Sequence, residues 1–354
     1  MKKLTLAYFG SPNFSANFLE KIFTDQDLRR VIDVKLVVTQ PDKPIGRKQI
    51  LTETPVKKVA KKYKIQILEL KTNKSEARNK NQNLETEKNN KRFLDLSYNS
   101  NLWDLIFGLD LCLVYAFSYI ISKDLLEIPK LGFWNIHPSL LPIYRGPSPI
   151  AYPLIFEEKE TGVTIIKMDE KVDHGPIIAQ EKLKIEETDR RPDLEKKLTN
   201  LGFKMFRQII MNLFQNLETE SQLFDWKNRI RLTPQNHSHA TYTRLLKKLD
   251  GFVPLSALKK SLKNEPLNFE ERPAILKETG KKVEVRNSSK IIYDYFRGLY
   301  PWPGLWTLLP NGKRLKITDM SFNFTHNTLN FKRVQLEGKK EVDFETFNQA
   351  YRVF

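Results

Sequence analysis

Phe133-Trp134-Asn135-Ile136-His137-Pro138-Ser139-Leu140-Leu141-Pro142-Ile143-Tyr144-Arg145-Gly146 opens as a strand and closes as a proline-bounded loop. Asn135 and His137 are two residues apart, so an extended backbone sends both side chains from one face, roughly 6–7 Å apart along the strand. Pro138 offers no N–H to a sheet ladder and restricts His137 to an extended conformation. The imidazole therefore falls at a strand end, where open α/β sheets build their ligand sites. An amide donor beside a proton carrier suits acyl transfer, the amide serving a developing oxyanion and the imidazole the proton. N-x-H taken alone is equally a surface pair or a core-satisfied one. The Leu-Leu-Pro loop and the Tyr-Arg-Gly turn behind it shift the reading toward a site.

Working outward, Val163–Met168 is a β-branched run that reads as the next strand. It leads into the acidic turn Asp169–Gly175 (D-E-K-V-D-H-G). Asp173 or Asp169 could accept a hydrogen bond from His137 and hold its tautomer. Both are equally suited to local backbone bonds within the turn.

Upstream, Leu4–Phe9 reads as a buried strand, Gly10-Ser11-Pro12-Asn13 as a turn, and Phe14, Phe18, Leu19, Ile22 and Phe23 as one face of a helix. Strand, glycine turn and helix open a doubly wound sheet. The turn is not G-x-G-x-x-G, so no dinucleotide site is indicated. Further strands are expected over Asp33–Thr39, Ile65–Leu68 and Leu109–Tyr115, the last a near-continuous apolar run fit for the centre of a parallel sheet. Pro55–Tyr63 reads as an amphipathic helix. Lys71–Lys91 is nearly devoid of apolar residues and reads as a disordered surface insertion. Pro176–Lys184 reads as strand. Leu194, Leu198, Leu201, Met205, Ile209 and Leu213 form the core stripe of a long helix.

The chain has 354 residues and 40% apolar composition, enough for two domains with substantial cores. Net charge is +17, with 59 Lys+Arg against 42 Asp+Glu, which favours a polyanionic partner, nucleic acid or an anionic membrane surface, with a plain solubility or lysine bias as the alternative. The one cysteine, Cys112, sits in an apolar run, so a disulfide framework is excluded and Cys112 reads as a small buried hydrophobe. His, Cys and acid residues lack metal-ligand spacing. No signal peptide or apolar span of transmembrane length is seen, so a cytoplasmic protein that needs neither metal nor membrane is expected.

The run N-I-H-P-S-L-L-P-I-Y-R-G followed by V-D-H-G resembles the N10-formyltetrahydrofolate-dependent formyltransferases. The resemblance implies Asn135, His137 and Asp173 as catalytic residues. It implies a 10-formyltetrahydrofolate co-substrate bound by Ser139, Leu140, Leu141 and Pro142 and by Tyr115, Ala116 and Phe117. Phe117-Ser118 stands where the family usually carries Tyr-Gly. The run T-Q-P-D-K-P-I-G-R (Thr39–Arg47) resembles the methionyl-tRNA branch, which implies that Arg47 contacts RNA. The other cations of this positive loop, Lys43 and Lys48, and Arg145 behind the Pro142 loop are expected to contact tRNA as well. Ile291–Trp306 contains P-W-P-G-L-W, similar to the run that in this family accompanies an OB-like barrel packing on tRNA. Short strands are expected at Leu308–Leu309, Leu315–Ile317, Leu329–Phe331 and Val334–Leu336, with residues 251–290 read as a polar insertion.

The expected fold is thus α/β: a doubly wound, mostly parallel Rossmann-like sheet over 1–215, a linker over 216–239, and a reduced OB-like β-barrel over 240–354 that binds tRNA. The expected activity is formyl transfer from 10-formyltetrahydrofolate to the α-amino group of initiator methionyl-tRNA, by a monomer. The alternatives are a sugar-nucleotide N-formyltransferase and a tRNA-binding module with an inactive pocket.

Overall fold

The computed structural model describes residues 3–46, 48–70, 94–95, 100–215, 229–278 and 287–354. Arg47 and the insertion expected over Lys71–Lys91 lie outside the described residues.

The chain forms two compact units. The first comprises Met1–Pro147, Gly162–Leu183 and Lys196–Thr243; the second comprises Ser148–Thr161, Lys184–Glu195 and Arg244–Phe354. The expected single cut at 215 gives way to these interleaved segments, and residues 229–239, the described part of the expected linker, belong to the first unit.

In chain order the strands of the first half are β1 (Leu4–Phe9), β2 (Ile32–Thr39), β3 (Lys43–Ile45), β4 (Ile50–Thr52), β5 (Gln66–Glu69), β6 (Leu94–Asp95), β7 (Leu111–Val114), β8 (Tyr119–Ile120), β9 (Phe133–His137), β10 (Glu160–Lys167) and β11 (Ile177–Lys184). Seven of them form one sheet in the order β11-β10-β9-β7-β1-β2-β5. Strands β9, β7, β1, β2 and β5 run parallel, and β10 pairs antiparallel with β9. The centre of the sheet follows from composition: β1 and β7 are almost wholly apolar, as strands covered on both faces must be, and β9 is apolar at Phe133, Trp134 and Ile136.

Helices cover both faces. Below Phe133, Phe9, Val114 and Cys112 lies a core with Leu102 and Ile106 of the helix Ser100–Ile106 and Leu125 and Leu126 of the helix Lys123–Leu126. Burial pushes the Cys112 thiol well up, so it behaves as a packed hydrophobe. On the other face, Phe18 of the helix Asn13–Thr24 meets Phe203 and Phe206 of the long helix Arg191–Phe214. Alternation along β9 puts Ile136 against Gly202 of that helix and leaves Asn135 and His137 on the opposite side.

A side hairpin, β3 and β4, stands off the sheet and carries the exposed residues Lys43, Ile45, Lys48, Ile50 and Leu51. Its base is held by a buried ammonium. Lys57 Nζ bonds both carboxylate oxygens of Asp42 at 2.8 and 2.9 Å and pairs with Glu69 at 2.5 Å. The Asp42 bonds, then Glu69, hold the Lys57 pKa well above the usual lysine value.

In the second unit a four-stranded antiparallel sheet, β12 (Leu305–Leu308), β13 (Arg314–Asn323), β14 (Thr328–Leu336) and β15 (Glu341–Asp343), follows chain order. The expected small barrel takes the form of this sheet. The described part of residues 251–290 is not a polar insertion: helices Leu255–Leu262 and Ala274–Glu278, with Val253 before them, bury Val253, Ala257, Leu258, Ile275 and Leu276. Leu255, Leu258 and Leu262 do recur at helical spacing, but their helix is only eight residues long, too short for the pattern to stand out among the surrounding lysines and asparagines. The helix Ser288–Leu299 is nearly all buried, and Tyr293, Tyr295 and Phe296 of the aromatic run are core residues.

Candidate active site

Strands β7 and β9 are parallel neighbours, with Val114 opposite Asn135. The chain leaving each, Tyr115–Phe117 and Pro138–Pro142, therefore emerges at the same carboxyl edge. Asn135 is half-buried and His137 only 4% exposed. The turn after β10 returns Asp173 to them. Asn135 Nδ2 donates to Asp173 Oδ1 at 3.0 Å, and His137 Nδ1 lies 3.5 Å from the same oxygen, within ion-pair range but long for a hydrogen bond. Asp173 Oδ2 accepts the Gly146 N–H at 2.7 Å. The other imidazole nitrogen, Nε2, lies 3.0 Å from the Tyr144 carbonyl. A carbonyl only accepts, so Nε2 bears a hydrogen.

The loop carrying these groups is fixed from inside. Thr164 Oγ1, fully buried, donates to Ser139 O at 2.6 Å and accepts from Leu141 N and from Gln180 Nε2. Gln180 Nε2 also reaches Leu141 O at 2.9 Å. Ser139 Oγ donates to Ile143 O at 2.6 Å. Two glycines have no substitute here. A Cβ on Gly146 (φ +99°) would sit 2.7 Å from Thr243 O, and one on Gly175 would sit 1.9 Å from Lys167 O.

The other aspartate of the turn has a different partner. Asp169 Oδ2 accepts from His174 Nδ1 at 2.6 Å, and the His174 ring stacks on His237 at 3.9 Å with planes 5° apart. Arg145 Nη2 donates to His237 Nδ1 at 2.8 Å and to Gln235 Oε1 at 2.6 Å. Partial desolvation, then the His174 ring and the Arg145 guanidinium, push the His237 pKa down. A folded value below the unfolded one (about 6.5) means that the stability contributed by neutral His237 is present above that pH and disappears as pH falls through the folded value. The urea midpoint of the wild type is expected to drop more between pH 7 and pH 5 than that of His237→Gln, which keeps an acceptor for Arg145 without the titration.

The remaining expected residues divide by exposure. Tyr115 is buried with its hydroxyl 3.0 Å from Thr199 Oγ1, and Ser139 and Leu141 are likewise packed inside. Ala116 holds a left-handed backbone (φ +56°), while Phe117, Leu140 and Pro142 are half-exposed. Phe117 stands edge-on to Phe9 at 5.4 Å. Lys43 and Lys48 are exposed on the side hairpin, away from this cluster in sequence and sheet position. Arg145, expected on a tRNA surface, is 2% exposed and its guanidinium is engaged by Gln235, His237 and Tyr242, so it belongs to the site's scaffold. Thr164, Gln180 and Gln235 are not found by sequence reasoning. Each acts through backbone carbonyls distant in the chain, which leave no periodic mark.

The sequence profile of the family described as formyl transferase matches residues 3–210. The chain belongs to the formyl transferase family and is a formyl-transferring enzyme. The methionyl-tRNA formyltransferase of Caldicellulosiruptor saccharolyticus is 29% identical over 374 aligned positions, covering 99% of this chain and 98% of the relative. The one from Kosmotoga olearia is 35% identical over 250 positions, covering 71% and 68%. Among solved structures, an N-formyltransferase from Helicobacter canadensis in complex with folinic acid and dTDP-3-aminofucose superposes with a TM-score of 0.53 at 18% identity, covering 91% of this chain and 89% of the other. That likeness concerns the fold. Among the described residues no helix is long and apolar enough to cross a membrane, and no group of three or more His, Cys, Asp or Glu could hold a metal ion.

Proposed function

We propose that this enzyme moves formyl from 10-formyltetrahydrofolate to the α-amino group of methionine charged on initiator tRNA. The observation that carries the acceptor is the end-to-end match to a methionyl-tRNA formyltransferase, 99% of one chain on 98% of the other. The surplus of 59 basic over 42 acidic residues suits a polyanionic acceptor.

The chemistry follows from the cluster at the end of β9. The amine nitrogen attacks the formyl carbon, the new C–N bond forms, and the bond from that carbon to folate N10 breaks. The amine loses a proton and N10 gains one. Asn135 Nδ2 has two hydrogens, one directed at Asp173; the second is the donor for the oxyanion that develops during attack. His137, its ring held between the Tyr144 carbonyl and the Asp173 carboxylate, manages the proton. The folate is received by the backbone at Ala116 and the half-exposed Phe117, Leu140 and Pro142, while Tyr115, Ser139 and Leu141 set that surface from behind.

The test is formylation of charged initiator tRNA against a nucleotide-linked amino sugar, each with 10-formyltetrahydrofolate. Turnover of the sugar alone overturns the assignment. On the nucleic-acid side, Lys43 and Lys48 of the β3–β4 hairpin are the described residues assigned to phosphate binding, with Arg47 between them in sequence. Lys43→Gln with Lys48→Gln is expected to weaken tRNA binding and to flatten its logarithmic salt dependence by about 0.7–0.9 for each phosphate no longer neutralised. Folate KM should stay unchanged. An unaltered slope in a filter-binding series at stepped salt concentrations removes the hairpin from the interface.

A further inference from the structure

Asp173 is restrained from several directions, and one restraint comes from a segment that carries no recognised motif. Its backbone is left-handed (φ +50°), a conformation in which Cβ crowds the following carbonyl of an L-residue. Such a residue keeps its position only where neighbours over-determine it. Gly146 and Asn135 hold the carboxylate. The main chain is held by one side chain: Gln235 Nε2 donates its two hydrogens to Asp173 O at 3.0 Å and Gly175 O at 2.7 Å.

Gln235 is itself fixed. It is 6% exposed, and its Oε1 accepts from Arg145 Nη2 at 2.6 Å. Two residues earlier, Thr233 and Ile177 exchange backbone bonds at 2.8 and 2.9 Å. A few residues later, Arg145 N donates to Thr241 O and Thr243 N donates to Arg145 O. The segment from Thr233 to Thr243 is thus stitched at one end to β11 and at the other to the turn behind His137. Gln235 lies between the stitches, with both donors and its carbonyl in use.

We infer that Gln235 is a positioning residue for formyl transfer: it sets the Asp173 carboxylate against His137 and Asn135 by gripping the turn from its backbone. The inference rests on the role proposed for Asp173. Its effect falls on turnover and not on binding of either substrate, because Gln235 points at the turn's carbonyls. A carboxylate displaced by about 1 Å can cost on the order of 10²-fold.

The experiment is a double-mutant cycle in the full chain, with 10-formyltetrahydrofolate and charged initiator tRNA. Gln235→Glu keeps the shape and the acceptor for Arg145 but cannot donate to two carbonyls. Its kcat is expected to fall about 10- to 100-fold, with both KM values within about twofold of wild type. In an Asp173→Asn background the same change is expected to cost nothing further, since the group it positions is already gone. Gln235→Asn, too short to reach both carbonyls, carries the same test should the glutamate variant not fold. Wild-type kcat for a folded Gln235 variant beside an inactive Asp173→Asn overturns the inference alone. Wild-type kcat for Asp173→Asn overturns the proposed role of Asp173 beneath it. A fall in kcat that is equal in both backgrounds also overturns the inference, because it assigns Gln235 a role independent of Asp173.

Discussion

Asp173→Asn is expected to lower turnover by about 10²- to 10⁴-fold while leaving the fold intact. The reason is geometric as well as electrostatic. Oδ2 receives the Gly146 N–H at 2.7 Å, and Oδ1 receives the Asn135 amide at 3.0 Å with His137 Nδ1 at 3.5 Å. An asparagine must turn its NH₂ toward one of these sides, where it meets a donor instead of a lone pair. If it faces Gly146, the turn is pushed out. If it faces Asn135, the amide that should meet the oxyanion is repelled, and His137 is without its charge partner in either case. Asp169→Asn makes the control. Its partner is His174, so the expected cost is confined to loosening the His174–His237 stack, about 1 kcal/mol in stability or less, with turnover near wild type. Steady-state formylation by the two variants side by side decides the matter. Greater sensitivity at Asp169 would misplace the catalytic carboxylate by four positions.

Asp294→Ala is expected to be the most destabilising single change in the second unit, at about 3–5 kcal/mol. Asp294 is fully buried on the helix Ser288–Leu299. Its carboxylate takes Lys290 Nζ at 2.6 and 2.7 Å and Arg297 Nη1 at 2.9 Å. Burial pushes its pKa up, against the pull of both cations. Removing the carboxylate strands Arg297, which is 3% exposed, and leaves Lys290 facing Glu157 at 3.3 Å. The cost therefore comes from stranded buried charge and not from the bonds alone. It should appear as a lower urea midpoint at unchanged m-value, with turnover preserved at temperatures where the variant is folded. A drop within the range of a surface ion pair, about 1 kcal/mol or less, would mean that the two cations find water.

The parallel sheet was legible because its strands must be apolar on both faces. β1 runs over Leu4–Phe9 as its composition indicates, and β7 and β9 begin and end within two residues of the apolar runs that mark them. The second unit was harder. Leu329–Phe331 and Val334–Leu336 read as two strands because Lys332 and Arg333 break the alternation. The structure joins them in β14, with the register slipping where Asp319 faces Arg333. A bulge of this kind resets which side chains face inward, and no two-residue period survives it. At the site, Asn135 and His137 were readable because strand geometry alone puts them on one face. Asp169 and Asp173 were not separable by spacing, since both sit in one turn. What parts them is the partner each finds: His174 for the first, Asn135 and the Gly146 amide for the second. Arg145 shows the opposite failure, a cation whose charge suggested a surface but whose guanidinium serves an interior.

The interleaving of the two units bears on how the polypeptide can mature on the ribosome. Glu186 and Asp189 emerge early, yet their carbonyls are taken by Arg297, more than a hundred residues later. The closing of the first unit likewise waits for Thr233 to pair with Ile177, and for Thr243 to reach Arg145. Synthesis that stops near residue 215 would leave each unit short of a segment that completes its packing. Release of a catalytic fragment by nonsense mutation or proteolysis is thereby disfavoured. Gene fusions and split versions of this enzyme must respect the same rule, joining outside the span from Ser148 to Thr243, where the chain alternates between its two halves.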